Sequence, residues 1–121
     1  MLSKSFFSLL ACTTAALAAT CSDNGGGTVP VSDAQSCVDY IRNKGTTGCA
    51  VDGENVVFCT AGNAQISGSN VNLQDSPTSN CNDVAAGAQS IIDSCAQNGQ
   101  VAGYNAAGGN GDIIVSINVN A

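Results

Sequence analysis

The sequence predicts an α+β protein, a two-layer α/β sandwich with two antiparallel helices on one face of a mainly antiparallel sheet and with three disulfides. Two segments carry apolar residues at helical spacing, and shorter alternating segments separate them. The final segment alternates apolar and polar residues, as a half-buried strand does. Six cysteines remain once a leader segment is removed, and an even set in an exported chain favours disulfides over a metal cluster.

The first 18 residues have the pattern of a secretory signal peptide. Lys4 supplies one positive charge, an apolar run follows, and the segment ends in Ala-Leu-Ala. The apolar run is too short to span the hydrocarbon core of a membrane. The sequence therefore predicts a secreted, extracellular protein with a signal peptide at residues 1–18 and a single domain at residues 19–121.

Removal of the signal peptide discards Cys12. It leaves an even set of cysteines: Cys21, Cys37, Cys49, Cys59, Cys81 and Cys95. Spacing alone does not choose their connectivity. Apart from Cys21 and Cys95, the other four can pair as Cys37–Cys81 with Cys49–Cys59, or as Cys59–Cys81 with Cys37–Cys49. A catalytic thiolate is disfavoured because the chain has no His to activate one, so we expect all six to be structural.

Charge limits the classes of partner. Residues 19–121 contain two cations, Arg42 and Lys44, against nine acids, which gives a net charge of −7. Such a surface repels nucleic-acid phosphates and anionic lipid headgroups, so we expect no nucleic-acid partner and no stable membrane anchor. Arg42 and Lys44 are separated by one residue at the end of the first predicted helix, where they complement its dipole. They are the candidate binding residues for an acidic partner.

The N-terminal half contains an arm and a helix. Residues 19–30 include an Asn-Gly-Gly-Gly run and predict a loose arm that is tied to the body through Cys21. A helix is predicted to begin at Ser32, which forms a capping box with Gln35. It ends before Gly45, which tolerates the left-handed conformation. The apolar stripe of this helix is Ala34, Cys37, Val38 and Ile41.

A β section and a second helix follow. Residues 49–51 and 55–59 predict a hairpin around an Asp-Gly turn. Alternation across residues 64–68, and again at Val71 and Leu73, predicts one or two more strands. The second helix is predicted from about Asn82 to Asn98, with an apolar stripe formed by Val84, Ala85, Ala88, Ile91, Ile92 and Cys95.

The C-terminal part predicts two strands and a loop. Strand character returns at residues 100–104, and a glycine-rich loop occupies residues 105–111. The last strand places alternate residues on one face: Ile113, Val115, Ile117 and Val119.

Acidic side chains are the remaining candidates for chemistry. Asp52 and Glu54 flank a glycine but lack the further oxygen ligands of a calcium loop, so a solvated turn is the better interpretation. A glycosidase-like carboxylate pair would need a cleft, and no aromatic platform accompanies the acids. We therefore predict no catalytic residue, no metal site and no cofactor.

From Val57 onward the chain resembles the killer-toxin family typified by the virus-encoded KP-four toxin of a smut fungus. The similar segments are Phe-Cys-Thr-Ala-Gly-Asn at 58–63, Ser-Asn-Cys at 79–81, the helical residues 88–95 and the closing strand at 111–119. The resemblance implies a compact sandwich of two antiparallel helices on an antiparallel sheet. It also implies a Cys21–Cys95 disulfide, because the family ties its N-terminal arm to the end of the second helix.

The chain departs from that family in charge and at one residue. The family toxins carry more cysteines, and the prototype is basic, whereas this chain is acidic. In the prototype, a lysine two residues before the cysteine of the Cys-Thr-Ala-Gly-Asn segment is tied to calcium-channel inhibition. Here that position is Val57. The resemblance therefore does not carry the channel-blocking mechanism to this chain.

These observations predict a secreted fungal effector or killer-toxin-like protein. We expect it to act as a monomer outside the cell, by binding a protein target of a plant or a competing fungus, without catalysis. A secreted cell-wall glycan-binding protein is the second hypothesis, and a small hydrolase with paired carboxylates is the third.

Overall fold

The structure is a computed structural model, which describes residues 19–70, 77–107 and 113–120. The predicted signal peptide, the predicted strand positions Val71 and Leu73, and residues 108–111 of the predicted loop lie outside the described residues. The α+β prediction is confirmed: two antiparallel helices lie against a mainly antiparallel sheet, and three disulfides join the elements.

The described residues form two helices and eight strands. The helices are α1, Val31–Arg42, and α2, Cys81–Cys95. The strands are β1, Val29–Pro30; β2, Gly48–Ala50; β3, Asn55–Ala61; β4, Ala64–Asn70; β5, Thr78–Asn80; β6, Gln100–Val101; β7, Gly103–Ala106; and β8, Ile113–Val119.

The main sheet has four antiparallel strands in the order β3-β4-β8-β7. A tight turn at Gly62 and Asn63 joins β3 to β4, whose register pairs Ala61 with Ala64. β1 pairs with β6 and β2 with β5, each as a short antiparallel ribbon. β3 therefore forms one edge of the main sheet and β7 the other.

The core lies between the two helices and the inner face of the sheet. The predicted stripe of α1 is fully buried, as are most of the predicted residues of α2, because each stripe faces the sheet. Ile113, Val115 and Ile117 are buried as predicted, whereas Val119, at the end of β8, is 36% exposed. The periodicities that predict the elements therefore also predict the core.

The predicted start of α1 and the predicted end of α2 need correction. α1 begins at Val31 with Pro30 at the N-cap, and no side chain caps it, so the capping box of Ser32 and Gln35 is wrong. The fixed φ of Pro30 and its pairing with Gln100 in the β1–β6 ribbon set the start of the helix instead. α2 ends at Cys95, three residues before the predicted end, because the chain turns back between Gln97 and Gln100.

The predicted hairpin of residues 49–51 and 55–59 is wrong. β2 pairs with β5, which lies about thirty residues further along, and β3 pairs with β4. The β2–β5 register places Cys49 opposite Ser79, two residues before Cys81.

The disulfides follow from this pairing of strands. The structure contains the Cys21–Cys95 bridge that the killer-toxin resemblance implies. The other bridges are Cys37–Cys59 and Cys49–Cys81, so both alternative pairings of these four cysteines are wrong. Cys49 and Cys81 meet because β2 runs beside β5, and Cys37 meets Cys59 because α1 packs on β3.

The N-terminal arm is more ordered than the sequence predicts. Thr20 and Tyr104 exchange two backbone hydrogen bonds of 2.9 Å. Val29 is fully buried in the core and pairs with Val101. Only the glycine-rich turn at residues 24–27 matches the predicted loose arm, because both ends of the segment are anchored by backbone pairing.

We expect Gly62→Ala to lower the free energy of unfolding by about 2 kcal/mol. Gly62 has a φ of 55°, and a Cβ there would collide with the carboxylate of Asp33, which accepts a hydrogen bond of 3.0 Å from the backbone N–H of Asn63. Urea unfolding of Gly62→Ala, of Asp33→Ala and of the double variant measures the energetic coupling between the two positions. In the Asp33→Ala background only the backbone strain remains, so the same glycine change should lower stability less. Equal losses in both backgrounds would contradict the collision.

Candidate functional site

Two contacts fix α1 over the edge strand β3. The Cys37–Cys59 disulfide joins the middle of the helix to the strand. One turn earlier in α1, the carboxylate of Asp33 accepts the backbone N–H of Asn63 at the β3–β4 turn. The Cys-Thr-Ala-Gly-Asn segment is thus the docking point of α1, since its cysteine, glycine and asparagine all meet residues of the helix.

A groove opens where α1 overhangs β3. We call it the edge groove and define it by Tyr40, Val57, Phe58, Cys59 and Thr60; its volume is about 400 Å³. Tyr40 is 54% exposed and Val57 is 50% exposed. These are the two most exposed large apolar side chains among the described residues, and they line one groove. The ring of Tyr40 beside the bulge of β3 offers apolar surface that can bind an apolar side chain of a partner.

An irregularity of β3 shapes the floor of this groove. The register with β4 shifts between Val57 and Cys59, so Phe58 is a bulge residue. The ring of Phe58 covers Gly68 on β4, where an added Cβ would lie 2.6 Å from Cε2 of the ring. Because Gly68 has no side chain, the ring of Phe58 can pack against β4, while Val57 stays exposed.

The two predicted binding cations are both engaged near this surface. Nη1 of Arg42 lies 3.2 Å from Oδ1 of Asp39, and Nη2 donates to Oε1 of Gln89 at 3.3 Å. The ammonium of Lys44 lies 4.9 Å from the ring centroid of Tyr40. Lys44 thus borders the edge groove, whereas Arg42 bridges the two helices. A role of either residue in binding stays a prediction.

The two edges of the main sheet differ. At the β7 edge, Tyr104 pairs with Thr20 of the arm, so its backbone groups are already bonded. At the β3 edge, the strand pairs with β4 on one side, and no described strand pairs with its other side. An edge strand with unpaired backbone groups is a template for a further strand.

A second groove lies at the C-terminal end of α2. We call it the polar groove and define it by the residues around the Cys21–Cys95 bridge: Ser22, Asp23, Thr28, Gln97, Asn98 and Gln100. Its volume is about 510 Å³. Thr28 Oγ1 donates to Oε1 of Gln100 at 3.2 Å, which links the arm to the turn after α2. Hydroxyl, amide and carboxylate groups of this kind can hydrogen-bond a hydroxylated ligand.

The acidic residues and the helices give two further observations. Within residues 19–70, 77–107 and 113–120, no group of three or more His, Cys, Asp or Glu side chains could hold a metal ion. Asp23 is the carboxylate that lines the polar groove, and no carboxylate lines the edge groove. Neither described helix is both long and apolar enough to cross a bilayer.

The sequence did not single out the edge groove. Tyr40 falls outside the buried stripe of α1, and this position was the signal available for an exposed aromatic residue. The run Val56-Val57-Phe58 breaks strict alternation, which is the sequence mark of a bulge. That Tyr40 and the bulge of β3 line one groove depends on how α1 crosses β3, which neither periodicity contains.

Comparison with known proteins places the chain by sequence. Neither a curated protein nor a solved structure matches it. One family matches residues 16–119, which is most of the chain. The protein therefore belongs to the family described as Domain of unknown function (DUF8794).

Proposed function

We propose that this protein is a secreted fungal effector or killer-toxin-like protein, which acts outside the cell by binding a protein target without catalysis. Three disulfides in a small domain support the secreted location, because such bridges form in oxidising compartments. The single observation that carries the binding function is the edge groove, where Tyr40 and Val57 are exposed together on a surface fixed by a disulfide.

The physical argument rests on rigidity and exposure. The Cys37–Cys59 bridge joins the two walls of the edge groove, so little conformational entropy is lost when a partner orders them. Exposed aromatic residues in a pre-formed groove are the usual anchors of protein interfaces. The lining of this groove supplies apolar surface and the hydroxyl groups of Tyr40 and Thr60, which suits binding.

The test compares purified residues 19–121 with matched variants, by infiltration into plant leaf and by inhibition of fungal growth. We expect the double variant Tyr40→Ala with Val57→Lys to lose the response. The control is Tyr104→Ala with Val119→Lys, which changes the same residue types at exposed positions away from the groove. Equal responses from both double variants would overturn the assignment of binding to the edge groove.

A second candidate function is glycan binding, which the polar groove favours. Its hydroxyl and amide groups suit sugar hydroxyls, although no aromatic side chain lines it. Retention on chitin or wall glucans that is lost in Asp23→Ala with Gln100→Ala would support this function. Retention that is unchanged by these substitutions would oppose a site in the polar groove.

We expect calcium influx into susceptible cells to be unaffected by this protein. The position tied to channel inhibition in the KP-four toxin is the uncharged Val57, and the surrounding chain is acidic. A fluorescent calcium indicator in fungal cells, with a basic killer toxin of the same family as the positive control, measures the effect. Strong inhibition of influx at the dose that suffices for the basic toxin would contradict this prediction.

A further inference from the structure

We infer that the open edge of β3 binds an extended, positively charged segment of a protein, which pairs with β3 as an additional strand and places an apolar side chain in the edge groove. This inference rests on the proposed function, because it names the chemical class of the partner. It depends on the backbone of β3, on the edge groove and on the charges at the ends of the strand.

The backbone of β3 can accept a strand at Asn55 and Val57. Asn70 donates its backbone N–H to the carbonyl of Glu54 at 2.9 Å, so this carbonyl points towards β4. In an antiparallel pair, successive residues turn their backbone groups alternately towards and away from the partner. Asn55 and Val57 therefore direct their N–H and carbonyl groups towards the side of β3 on which no described strand lies. An added peptide can bond to these groups without disturbing the β3–β4 ladder.

The edge groove lies directly beside these backbone groups. Val57 belongs both to the open edge and to the lining of the groove, and Tyr40 overhangs it from α1. A strand beside Val57 alternates its side chains between the two faces of the sheet. The side chains on the α1 face then lie under the ring of Tyr40, where an apolar group is shielded from water.

Charge selects a cationic segment. Glu54 precedes the first residue of β3, and Asp33 contacts the turn that follows its last residue, so each end of the strand has a carboxylate. The groove itself has no carboxylate and borders the ammonium of Lys44, so it receives the apolar side chain of the segment, and the basic residues lie at its two ends. Residues 19–121 carry a net charge of −7, which attracts a positive partner over a longer range. A segment with basic residues at both ends and apolar residues between them matches this arrangement.

The same charges disfavour a second copy of the chain. Two β3 strands paired antiparallel about a two-fold axis would bring Glu54 of one copy towards the turn beside Asp33 of the other. Like charges placed opposite each other destabilise strand pairing. Both copies also carry a net charge of −7. The charge pattern therefore favours a basic partner over self-association.

The probe is a capped heptapeptide of alternating valine and threonine with a lysine at each end. Its amide-shift titration with isotope-labelled protein gives both the site and the dissociation constant. We expect shifts at Asn55, Val57 and Tyr40, and binding that weakens as salt is added. The same peptide with glutamate at both ends should bind at least about tenfold more weakly. A version methylated on alternate backbone nitrogens should not bind, because it cannot complete the ladder.

Matched variants separate the groove from general surface charge. We expect Tyr40→Ala and Val57→Lys each to weaken binding by at least about fivefold, and Tyr104→Ala and Val119→Lys to leave it nearly unchanged. All four side chains are exposed, so the amide spectrum of each variant should stay that of the folded protein. Equal binding of the methylated peptide, shifts outside β3 and α1, or a concentration-dependent dimer that Val57→Lys abolishes would each overturn the inference.

The failure of this inference is distinguishable from the failure of the proposed function. Loss of the leaf or fungal response in the edge-groove variant, together with no binding of the basic peptide, would leave the proposed function intact and overturn the partner class. Peptide binding at β3, together with a response that is unchanged in the edge-groove variant, would support strand pairing at β3 and overturn the assignment of the response to the edge groove.

Discussion

The double substitution Cys21→Ala with Cys95→Ala is expected to lower the free energy of unfolding by about 4 kcal/mol. The two cysteines are 74 residues apart, so their bridge restricts the unfolded chain more than either of the other two. A domain of this size has a stability of about 5–15 kcal/mol, of which this loss is a large part. Urea unfolding of residues 19–121, followed by circular dichroism, measures the change.

Removal of the Cys37–Cys59 bridge provides a comparison for this loss of stability. It closes a loop of 22 residues, for which the same entropy model gives about 3 kcal/mol. Removing it also releases α1 from β3 and leaves a space at Cys37, which is fully buried. We expect its effect on the amide spectrum to centre on the edge groove, whereas loss of the Cys21–Cys95 bridge changes the arm and the end of α2. An unchanged unfolding midpoint without the Cys21–Cys95 bridge would contradict the chain-entropy argument.

The helices and the last strand could be predicted because their signals are local. The stripe of α1 repeats within 12 residues, and the alternation of β8 occupies seven. Each pattern needs no knowledge of its partner, since the period alone decides which face is buried. The helix boundaries were less predictable because backbone pairing outside the apolar stripes sets them: Pro30 pairs with the distant Gln100, and Gln97 pairs with Gln100 in the turn after α2.

The strand partners could not be predicted in the same way. An Asp-Gly turn between two apolar runs favours a local hairpin, yet Gly48 pairs with Asn80 and the run after the turn pairs with β4. Sequence pattern does not distinguish a partner nearby from one about thirty residues away. Spacing alone did not choose the pairings of the other four cysteines either, because Cys49 meets Cys81 only through the pairing of β2 with β5.

The edge groove escaped prediction for a related reason. The exposed position of Tyr40 follows from the helical period, and the exposed position of Val57 follows from its pairing with Ser67 on the face of the sheet away from the helices. Their proximity follows from the crossing of α1 over β3, which the Cys37–Cys59 bridge fixes. The polar groove likewise depends on an arm that the sequence predicts to be loose.

We expect Gly103→Ala to lower the free energy of unfolding by about 2–3 kcal/mol. A Cβ at this buried strand residue would lie 2.6 Å from the backbone oxygen of Thr20 and 3.0 Å from Cγ2 of Ile91. The oxygen cannot move freely, because Thr20 is hydrogen-bonded to Tyr104 on the same strand. Urea unfolding measures the loss. Gly48→Ala is the matched control, for which we expect a smaller loss, since its Cβ would meet Cγ2 of the exposed Thr78 and no backbone atom.

The disulfide and the glycine should be coupled energetically. Cys95 Sγ lies 3.3 Å from the position of the added Cβ, and the Cys21–Cys95 bridge keeps the arm pressed against Gly103. Once the bridge is removed, the arm can shift away from the new methyl group. We therefore expect Gly103→Ala to lower stability less in the bridge-free background, by at least about 1 kcal/mol. Strictly additive losses would show that the arm yields to the methyl group even while the bridge is intact.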